Sequence, residues 1–90
     1  MIDKIVPSAA AAVADIHDGA TVMIGGFGTA GMPNSLIDAL IDRRPRELTL
    51  VNNNAGNGDT GVAALLKARC VRRIVCSFPR QVDSHVFDAL

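Results

Sequence analysis

The fold of this chain is decided by the stretch from residue 21 to residue 33, which reads Thr-Val-Met-Ile-Gly-Gly-Phe-Gly-Thr-Ala-Gly-Met-Pro. Its first four residues, Thr21 to Ile24, are β-branched or apolar, which is typical of a short strand buried on both faces of a parallel sheet. The glycines that follow tolerate positive φ angles and close approach to the main chain. Pro33 suits the first turn of a helix, and apolar residues then recur at helical spacing. The stretch therefore predicts a strand, a glycine loop and a helix, with unpaired N–H groups that suit an anion or a developing oxyanion.

The strand-and-helix unit is repeated along the chain. Further short strands are predicted at Leu48 to Val51 and at Ile74 to Cys76. A first helix is predicted from Ala9 to His17, with Ser8 as cap and Asp18-Gly19 as stop. A second is predicted from Pro33 to about Asp42 and is ended by Arg43-Arg44-Pro45, because the residue before a proline is disfavoured in a helix. Two more are predicted from Val62 to near Arg69 and from Val82 to Leu90. This order indicates an α/β fold, a parallel sheet with flanking helices and right-handed crossovers. Because such a sheet leaves a buried edge open and the last helix has no stop signal, we expect the fold to be incomplete at the C-terminus and residues 1–90 to be the amino-terminal part of a single longer domain.

Composition argues against several classes of partner. Nine basic and nine acidic residues give a formal net charge of zero, so the excess of Lys and Arg that nucleic acid or an anionic membrane surface requires is absent. No apolar run approaches the roughly 20 residues needed to span a bilayer, and the amino end lacks the apolar core of a secretory signal. Cys70 and Cys76 have no recognised metal spacing, so we predict no metal site and a cytoplasmic protein with reduced thiols.

A polar rim is predicted at one edge of the sheet. In parallel α/β sheets the ligand lies beyond the carboxyl ends of the strands, where residues 25–32, 52–59 and 77–81 form the loops. Asn53 and Asn54 have two interpretations, which we leave open: turn chemistry through their own backbone, or carboxamides that orient a carbonyl or carboxylate substrate. Arg80 is a candidate carboxylate partner because its planar fork engages both oxygens, although a solvated role is the simpler interpretation.

The segment from Gly26 to Gly31 also fits the three-glycine fingerprint of dinucleotide-binding proteins. That fingerprint requires an acid about 20 residues further on, at the end of the second strand, and Asn52 to Asn54 stand there instead. Pro33 moreover begins its helix after the third glycine, whereas the fingerprint places that glycine inside the helix. We therefore disfavour nicotinamide binding.

Reactive side chains are scarce in this sequence. The only glutamate, Glu47, precedes the second strand and is expected as a surface charge at the opposite end of the sheet. His17 and His85 have no triad-like partners, and nothing near the cysteines argues for a depressed thiol pKa; Cys76 is expected inside the third strand. The predicted site thus offers binding donors without a nucleophile.

The run from Asp18-Gly19 through Gly25-Gly26-Phe27 to Gly31 and Pro33 resembles the signature of the A subunit of the 3-oxoacid CoA-transferases. Asn53-Asn54-Ala55-Gly56 is similar to the second hallmark of the same polypeptide, and Val71-Arg-Arg-Ile-Val-Cys-Ser-Phe continues the likeness. The sequences Asn-Asn-Ala-Gly-Asn-Gly and Cys-Ser-Phe-Pro-Arg-Gln are most similar to the 3-oxoadipate branch of the family. The likeness extends over essentially the whole chain.

The resemblance implies a Rossmann-like CoA-transferase fold and a ping-pong transfer of coenzyme A from succinyl-CoA to a 3-oxo acid. A glutamate of the B subunit becomes a glutamyl-CoA thioester, so the family pattern expects no nucleophile here and no permanently bound cofactor, with the CoA thioester as substrate. The substrate-binding residues that it implies are Gly25, Gly26, Phe27, Gly28, Gly31, Asn53 and Asn54, with Arg80 proposed for an additional carboxylate. Family members are more than twice as long, and we expect residues 1–90 to be inactive alone.

Two other hypotheses remain open from the sequence. The first is that the chain is a nucleotide- or phosphate-binding module that uses the glycine loop as an anion cradle. The second is that it is a truncated product without function. The preferred 3-oxo acid is not specified by the residues present.

Overall fold

A computed structural model describes residues 5–27, 30–79 and 83–90 of the chain. The elements in these ranges follow one another as α1 (Ala9–Val13), β1 (Thr21–Met23), α2 (Asn34–Arg43), β2 (Leu48–Val51), α3 (Val62–Lys67), β3 (Val71–Val75) and α4 (His85–Ala89). The predicted alternation of strands and helices is therefore confirmed, although several boundaries differ.

The strands β1, β2 and β3 form one parallel sheet, in that order. Val22 is in register with Leu50, and Leu50 with Ile74, so these side chains share one face of the sheet. The register shifts between Leu48 and Thr49, where Arg72 is the additional residue of β3. The predicted parallel α/β sheet is confirmed.

The helices cover one face of this sheet. Apolar residues of α1, α2 and α3 form a single core with β2, whose leucines are fully buried; the core comprises Val13, Ile37, Leu40, Leu48, Leu50, Val62, Leu65 and Cys70. A smaller cluster of Ala63, Leu66 and Val86 joins α3 to α4. This apolar burial supplies most of the driving force for folding.

The opposite face of the sheet is open, and the expectation that the first strand is buried on both faces is wrong for this structure. Met23 is in register with Val51 and, through it, with Val75, and Met23 and Val75 are 80% and 48% exposed. The sequence pattern is that of a doubly buried strand because apolar residues occupy both faces, but only one face meets a helix layer in the described part of the chain.

Three element ends can be compared with prediction. α1 ends at Val13 and not at His17, because Ile16 turns to pack on the core and the Asp18 carboxylate accepts the Arg46 amide at 2.8 Å. β3 begins at Val71 and ends at Val75, so Cys76 lies beyond the strand and is half-buried, contrary to expectation. α2 ends before Pro45 as predicted, with Arg44 in the left-handed conformation at φ 56°.

The length of the helices is also informative. The longest in the described ranges, α2, has 10 residues. In that part of the chain no helix is long and apolar enough to cross a lipid bilayer.

Candidate functional site

Three loops meet at the carboxyl edge of the sheet, where the sequence predicts the polar rim. We call residues 24–33 the glycine loop, residues 52–61 the asparagine loop and residues 76–84 the third loop. They follow β1, β2 and β3, which are adjacent and parallel, so their first residues start side by side.

The glycine loop folds back on itself at its tip. The amides of Phe27 and Ala30 donate to each other's carbonyl oxygens, both at 2.9 Å. The expectation that the loop presents unpaired N–H groups is therefore wrong for these two residues. Within the described ranges, the amides of Gly25, Gly26 and Gly31 have no hydrogen-bond partner. The Met32 amide is likewise without a partner, so these four amides are the backbone donors that the described part of the loop offers.

Gly26 is held in a conformation that favours glycine. Its φ is +118°, and a Cβ atom added to it would lie 3.1 Å from both the Ala30 carbonyl oxygen and the Met32 sulfur. Met32 also packs near Gly61, where an added Cβ would be 3.3 Å from Met32 Cγ. The Met32 side chain thus fills the space between the glycine loop and the end of the asparagine loop. Sequence analysis did not single out Met32, because a methionine carries no signal for such a role.

The amino end of α2 adds positive potential beside the glycine loop. The helix starts at Asn34, immediately after Pro33, and its first turn holds no acidic side chain. The partial positive charge of a helix amino terminus therefore remains uncompensated by a carboxylate of that turn. This favours an anionic ligand or a carbonyl oxygen that gains negative charge.

Asn52 connects the glycine loop to the asparagine loop. Its Nδ2 donates to the Ile24 carbonyl oxygen at 2.5 Å, and its Oδ1 accepts the Asn54 amide at 3.1 Å. The sequence analysis considered Asn52 only as the residue in place of a ribose-binding acid. The strand-end position of this carboxamide is the one signal that points to its bridging role.

Asn54 and Asn53 differ in accessibility. Asn54 is fully buried and its Oδ1 accepts the Gly56 amide at 2.8 Å, which is the turn chemistry that one of the two sequence interpretations describes. Asn53 is half-buried at the rim. Asn53 Oδ1 and Asn54 Nδ2 are buried without a hydrogen-bond partner in the described structure. Unpaired polar atoms of this kind are costly and are often satisfied by a ligand or by water.

The third loop is tied to the asparagine loop. The amides of Ser77 and Phe78 both donate to the Asn53 carbonyl oxygen, at 3.1 and 3.0 Å. Further along, the Asp83 amide donates to Asn57 Oδ1 at 2.8 Å, and the Gly58 amide donates to the Asp83 carbonyl oxygen at 2.7 Å. The asparagine loop is therefore hydrogen-bonded to the glycine loop through Asn52 and to the third loop through Asn53, Asn57 and Gly58.

Two predicted site residues, Gly28 and Arg80, lie outside the described residues. The roles expected for them stay predictions. The structure brings Gly25, Gly26, Phe27, Gly31, Asn53 and Asn54 to the same edge of the sheet. Phe27 is 62% exposed there, which leaves its ring accessible to a ligand or another surface.

The titratable side chains offer no activated nucleophile in the described residues. Glu47 is an exposed surface charge, 3.8 Å from Arg72 and at the opposite end of the sheet, as predicted. Burial raises the pKa of the Cys70 thiol, and the positive charge of Arg44 opposes that rise only in part. Cys70, and not Cys76, is thus the core cysteine. A thiol with a raised pKa stays protonated near neutral pH.

An acid–base pair missed by the sequence analysis stands at the start of α4. His85 Nδ1 lies 2.6 Å from Asp83 Oδ1, and the side-chain hydrogen bond from His85 is the main cause of a lowered Asp83 pKa. Both side chains are more than half exposed. The signal available in the sequence was that Asp83 and His85 are two positions apart.

The geometry also bears on the alternative ligands. Gly31 lies outside the helix, which begins three residues later at Asn34, and the Asn52 carboxamide is engaged by Ile24 and Asn54. Both features depart from the dinucleotide fingerprint. Within the described ranges, no group of three or more His, Cys, Asp or Glu side chains could hold a metal ion.

Comparison with protein families matches residues 6–90 to the model described as "Coenzyme A transferase". Over all 90 residues the chain is 62% identical to the A subunit of 3-oxoadipate CoA-transferase from Pseudomonas putida, of which it covers 39%. It is 60% identical over the same length to the subunit of that name from Acinetobacter baylyi, of which it covers 40%. The chain thus spans about two fifths of the length of these relatives.

Two further matches are less extensive. A 66-residue segment is 58% identical to human mitochondrial succinyl-CoA:3-ketoacid coenzyme A transferase 2 and covers 73% of this chain and 13% of the relative. Among solved structures, an acyl-CoA transferase from Escherichia coli O157:H7, in a thioester complex with CoA, matches with a TM-score of 0.60 and 29% identity. That match covers 77% of this chain and 15% of the solved one.

Proposed function

This chain belongs to the coenzyme A transferase family, and from that premise we propose that residues 1–90 form the amino-terminal part of the A subunit of a 3-oxoadipate CoA-transferase. The complete polypeptide, together with a B subunit, would transfer coenzyme A from succinyl-CoA to 3-oxoadipate. The names of the two relatives that match over the whole chain support this choice of substrate and of partner. The proposed reaction uses a water-soluble thioester, which fits the predicted cytoplasmic location.

The observation that carries the proposal is a rim of hydrogen-bond donors with no activated nucleophile among the described residues. In the described residues, two loops with amide and carboxamide donors stand at the carboxyl edge of the sheet, and the one glutamate of the chain is at the opposite end. A glutamate of the B subunit supplies the missing carboxylate. Its carboxylate attacks the carbonyl carbon of succinyl-CoA and displaces the CoA thiolate, which leaves a succinyl-glutamyl anhydride. The thiolate then attacks the glutamyl carbonyl carbon, so that the glutamyl-CoA thioester forms and succinate is released.

The glycine loop has a defined task in this scheme. When the carboxylate attacks, negative charge develops on the thioester carbonyl oxygen. The amides of Gly25, Gly26 and Gly31 and the amino end of α2 stabilise that charge. Phe27 and Gly28 belong to the same binding segment.

The asparagine loop has a different task. Asn53, half-buried at the rim, donates a hydrogen bond from its carboxamide nitrogen to the substrate. Asn54 is buried and acts indirectly, because its Oδ1 accepts the Gly56 amide and holds that turn. Arg80 binds the second carboxylate that distinguishes 3-oxoadipate from a simple 3-oxo acid.

The test is an exchange assay with the complete A subunit co-purified with its B partner. Incubation with succinyl-CoA and 3-oxoadipate should yield succinate and 3-oxoadipyl-CoA, faster than with acetoacetate as acceptor. A folded complex that transfers no CoA to either acid would overturn the proposal. Binding of NAD by that complex in equilibrium dialysis, with no binding of CoA, would favour the nucleotide module instead.

A further inference from the structure

The side chain of Asn52 holds the root of the glycine loop. Both polar groups of Ile24 are occupied, since its amide donates to the Val51 carbonyl oxygen at 2.9 Å and its carbonyl accepts Asn52 Nδ2 at 2.5 Å. Ile24 is the last residue before Gly25, so the position of its carbonyl sets the direction in which the loop leaves the sheet.

The other end of the Asn52 carboxamide continues into the asparagine loop. Asn52 Oδ1 accepts the Asn54 amide at 3.1 Å, and Asn54 Oδ1 accepts the Gly56 amide at 2.8 Å. A chain of two carboxamides thus runs from the end of β1 to the turn at Gly56. Asn52 is 8% exposed and Asn54 is fully buried, so neither side chain is placed to serve as a loose surface contact.

We propose that Asn52 is a positioning residue, which fixes the glycine loop relative to the asparagine loop so that donors from both loops meet one thioester. This inference rests on the proposed function, because it assigns a role within that same site. Asn52 acts through Ile24 and Asn54.

The bridge needs a side chain that donates and accepts at once over a short reach. A carboxamide does both, whereas a carboxylate only accepts and would set a negative charge against the Ile24 carbonyl oxygen. A serine hydroxyl is shorter; it can accept the Asn54 amide in a local turn but does not span to the neighbouring strand. Asn52→Asp and Asn52→Ser therefore both remove the tie to Ile24 and retain an acceptor for Asn54.

The effect should be on the chemical step. A misplacement of about 1 Å at a reacting centre lowers rates by about 100-fold, so we expect both variants of the complete two-subunit complex to lose about 10-fold to 100-fold in kcat, with a smaller change in KM. The control is Leu40→Val, which shortens a buried core residue of α2 without touching the bridge. It should lower the unfolding midpoint and leave kcat unchanged.

A pH profile separates positioning from mere loss of stability. In Asn52→Asp, the new carboxyl group can donate to the Ile24 oxygen only while it is protonated, and a carboxyl buried against a carbonyl holds its proton to higher pH than usual. The kcat of Asn52→Asp relative to the wild type should therefore rise as the pH falls from about 8 towards about 5, whereas that of Asn52→Ser should not.

Hydrogen exchange provides a readout that does not depend on activity. Mass spectrometry of the complex should show faster exchange in peptides that span residues 21–33 in both Asn52 variants than in Leu40→Val. If exchange and kcat match the wild type, or if both Asn52 variants fail to fold, the positioning role is wrong. An inactive wild-type complex with the expected exchange pattern would instead overturn the proposed reaction and leave the bridge standing.

Discussion

Gly56 lies so close to Ala63 that a Cβ atom on Gly56 would come within 2.8 Å of the Ala63 Cα atom. The asparagine loop and the first turn of α3 are therefore in direct backbone contact. Gly56 also has a φ of +108°, which residues other than glycine rarely adopt. We predict that Gly56→Ala lowers the free energy of unfolding of the complete polypeptide by about 2–5 kcal/mol, because overlap and backbone strain add.

Gly58→Ala is the matched control for that substitution. Gly58 has a φ of +69°, but nothing lies within 4 Å of an added Cβ atom. Only the backbone strain remains, and the expected loss is about 1 kcal/mol. Urea unfolding of the two variants measures the difference; equal losses would show that the contact with Ala63 is not tight.

Gly26→Ala tests the glycine loop. The new methyl group would press on the Ala30 carbonyl oxygen and the Met32 sulfur, each 3.1 Å away. Relief of this overlap would move the loop amides away from the thioester. We therefore expect the rate of CoA transfer by the complete two-subunit complex to fall by about 100-fold. Gly19→Ala, at a φ of +79° and in open space, should lower stability through backbone strain but retain activity. Comparable kcat values in the two variants would contradict the prediction.

Substitution of Asn54 should mainly lower stability, whereas substitution of Asn53 should mainly lower activity. Asn54→Ala leaves the buried Gly56 amide without its acceptor, which should lower the free energy of unfolding by about 1–3 kcal/mol. Asn53→Ala removes a half-buried carboxamide and should change stability by less than about 1 kcal/mol while reducing kcat/KM. Thermal unfolding and steady-state assays of the same preparations would refute this assignment if the two phenotypes were exchanged.

The pair of Asp83 and His85 predicts a pH effect with a definite sign. The hydrogen bond from His85 lowers the pKa of Asp83, so the folded chain favours the carboxylate. The stabilisation is present above the ordinary Asp pKa and is lost as the pH falls through the lowered value. In His85→Ala, the Asp83 pKa measured by carbon NMR should rise towards its ordinary value. An unchanged titration would mean that the 2.6 Å contact does not persist in solution.

The fold followed from the sequence because its signals are local. The apolar run at Leu48–Val51 and the Arg44-Pro45 helix stop depend on few neighbours, and both were predicted where the structure has them. The burial of strand faces depends on what covers them. Met23 has the pattern of a doubly buried strand and is 80% exposed because the described chain places helices on one face only.

The sequence predicted where the candidate site lies but not the hydrogen bonds that organise it. Glycines and asparagines after parallel strands indicate a polar rim, but residue types do not reveal which groups satisfy one another. The pairing of the Phe27 and Ala30 amides, the bridge made by Asn52 and the burial of Asn54 arise from contacts between separate segments. Apart from the strand-end position of Asn52, such contacts leave no pattern in a single sequence.

The most direct test of the proposed chemistry is a crystal structure of the complete two-subunit complex, trapped as its glutamyl-CoA thioester. We predict that the thioester carbonyl oxygen lies within about 3 Å of a glycine-loop amide, the range of a hydrogen bond, with Asn53 beside it. A thioester that contacts neither the glycine loop nor the asparagine loop would contradict the proposal.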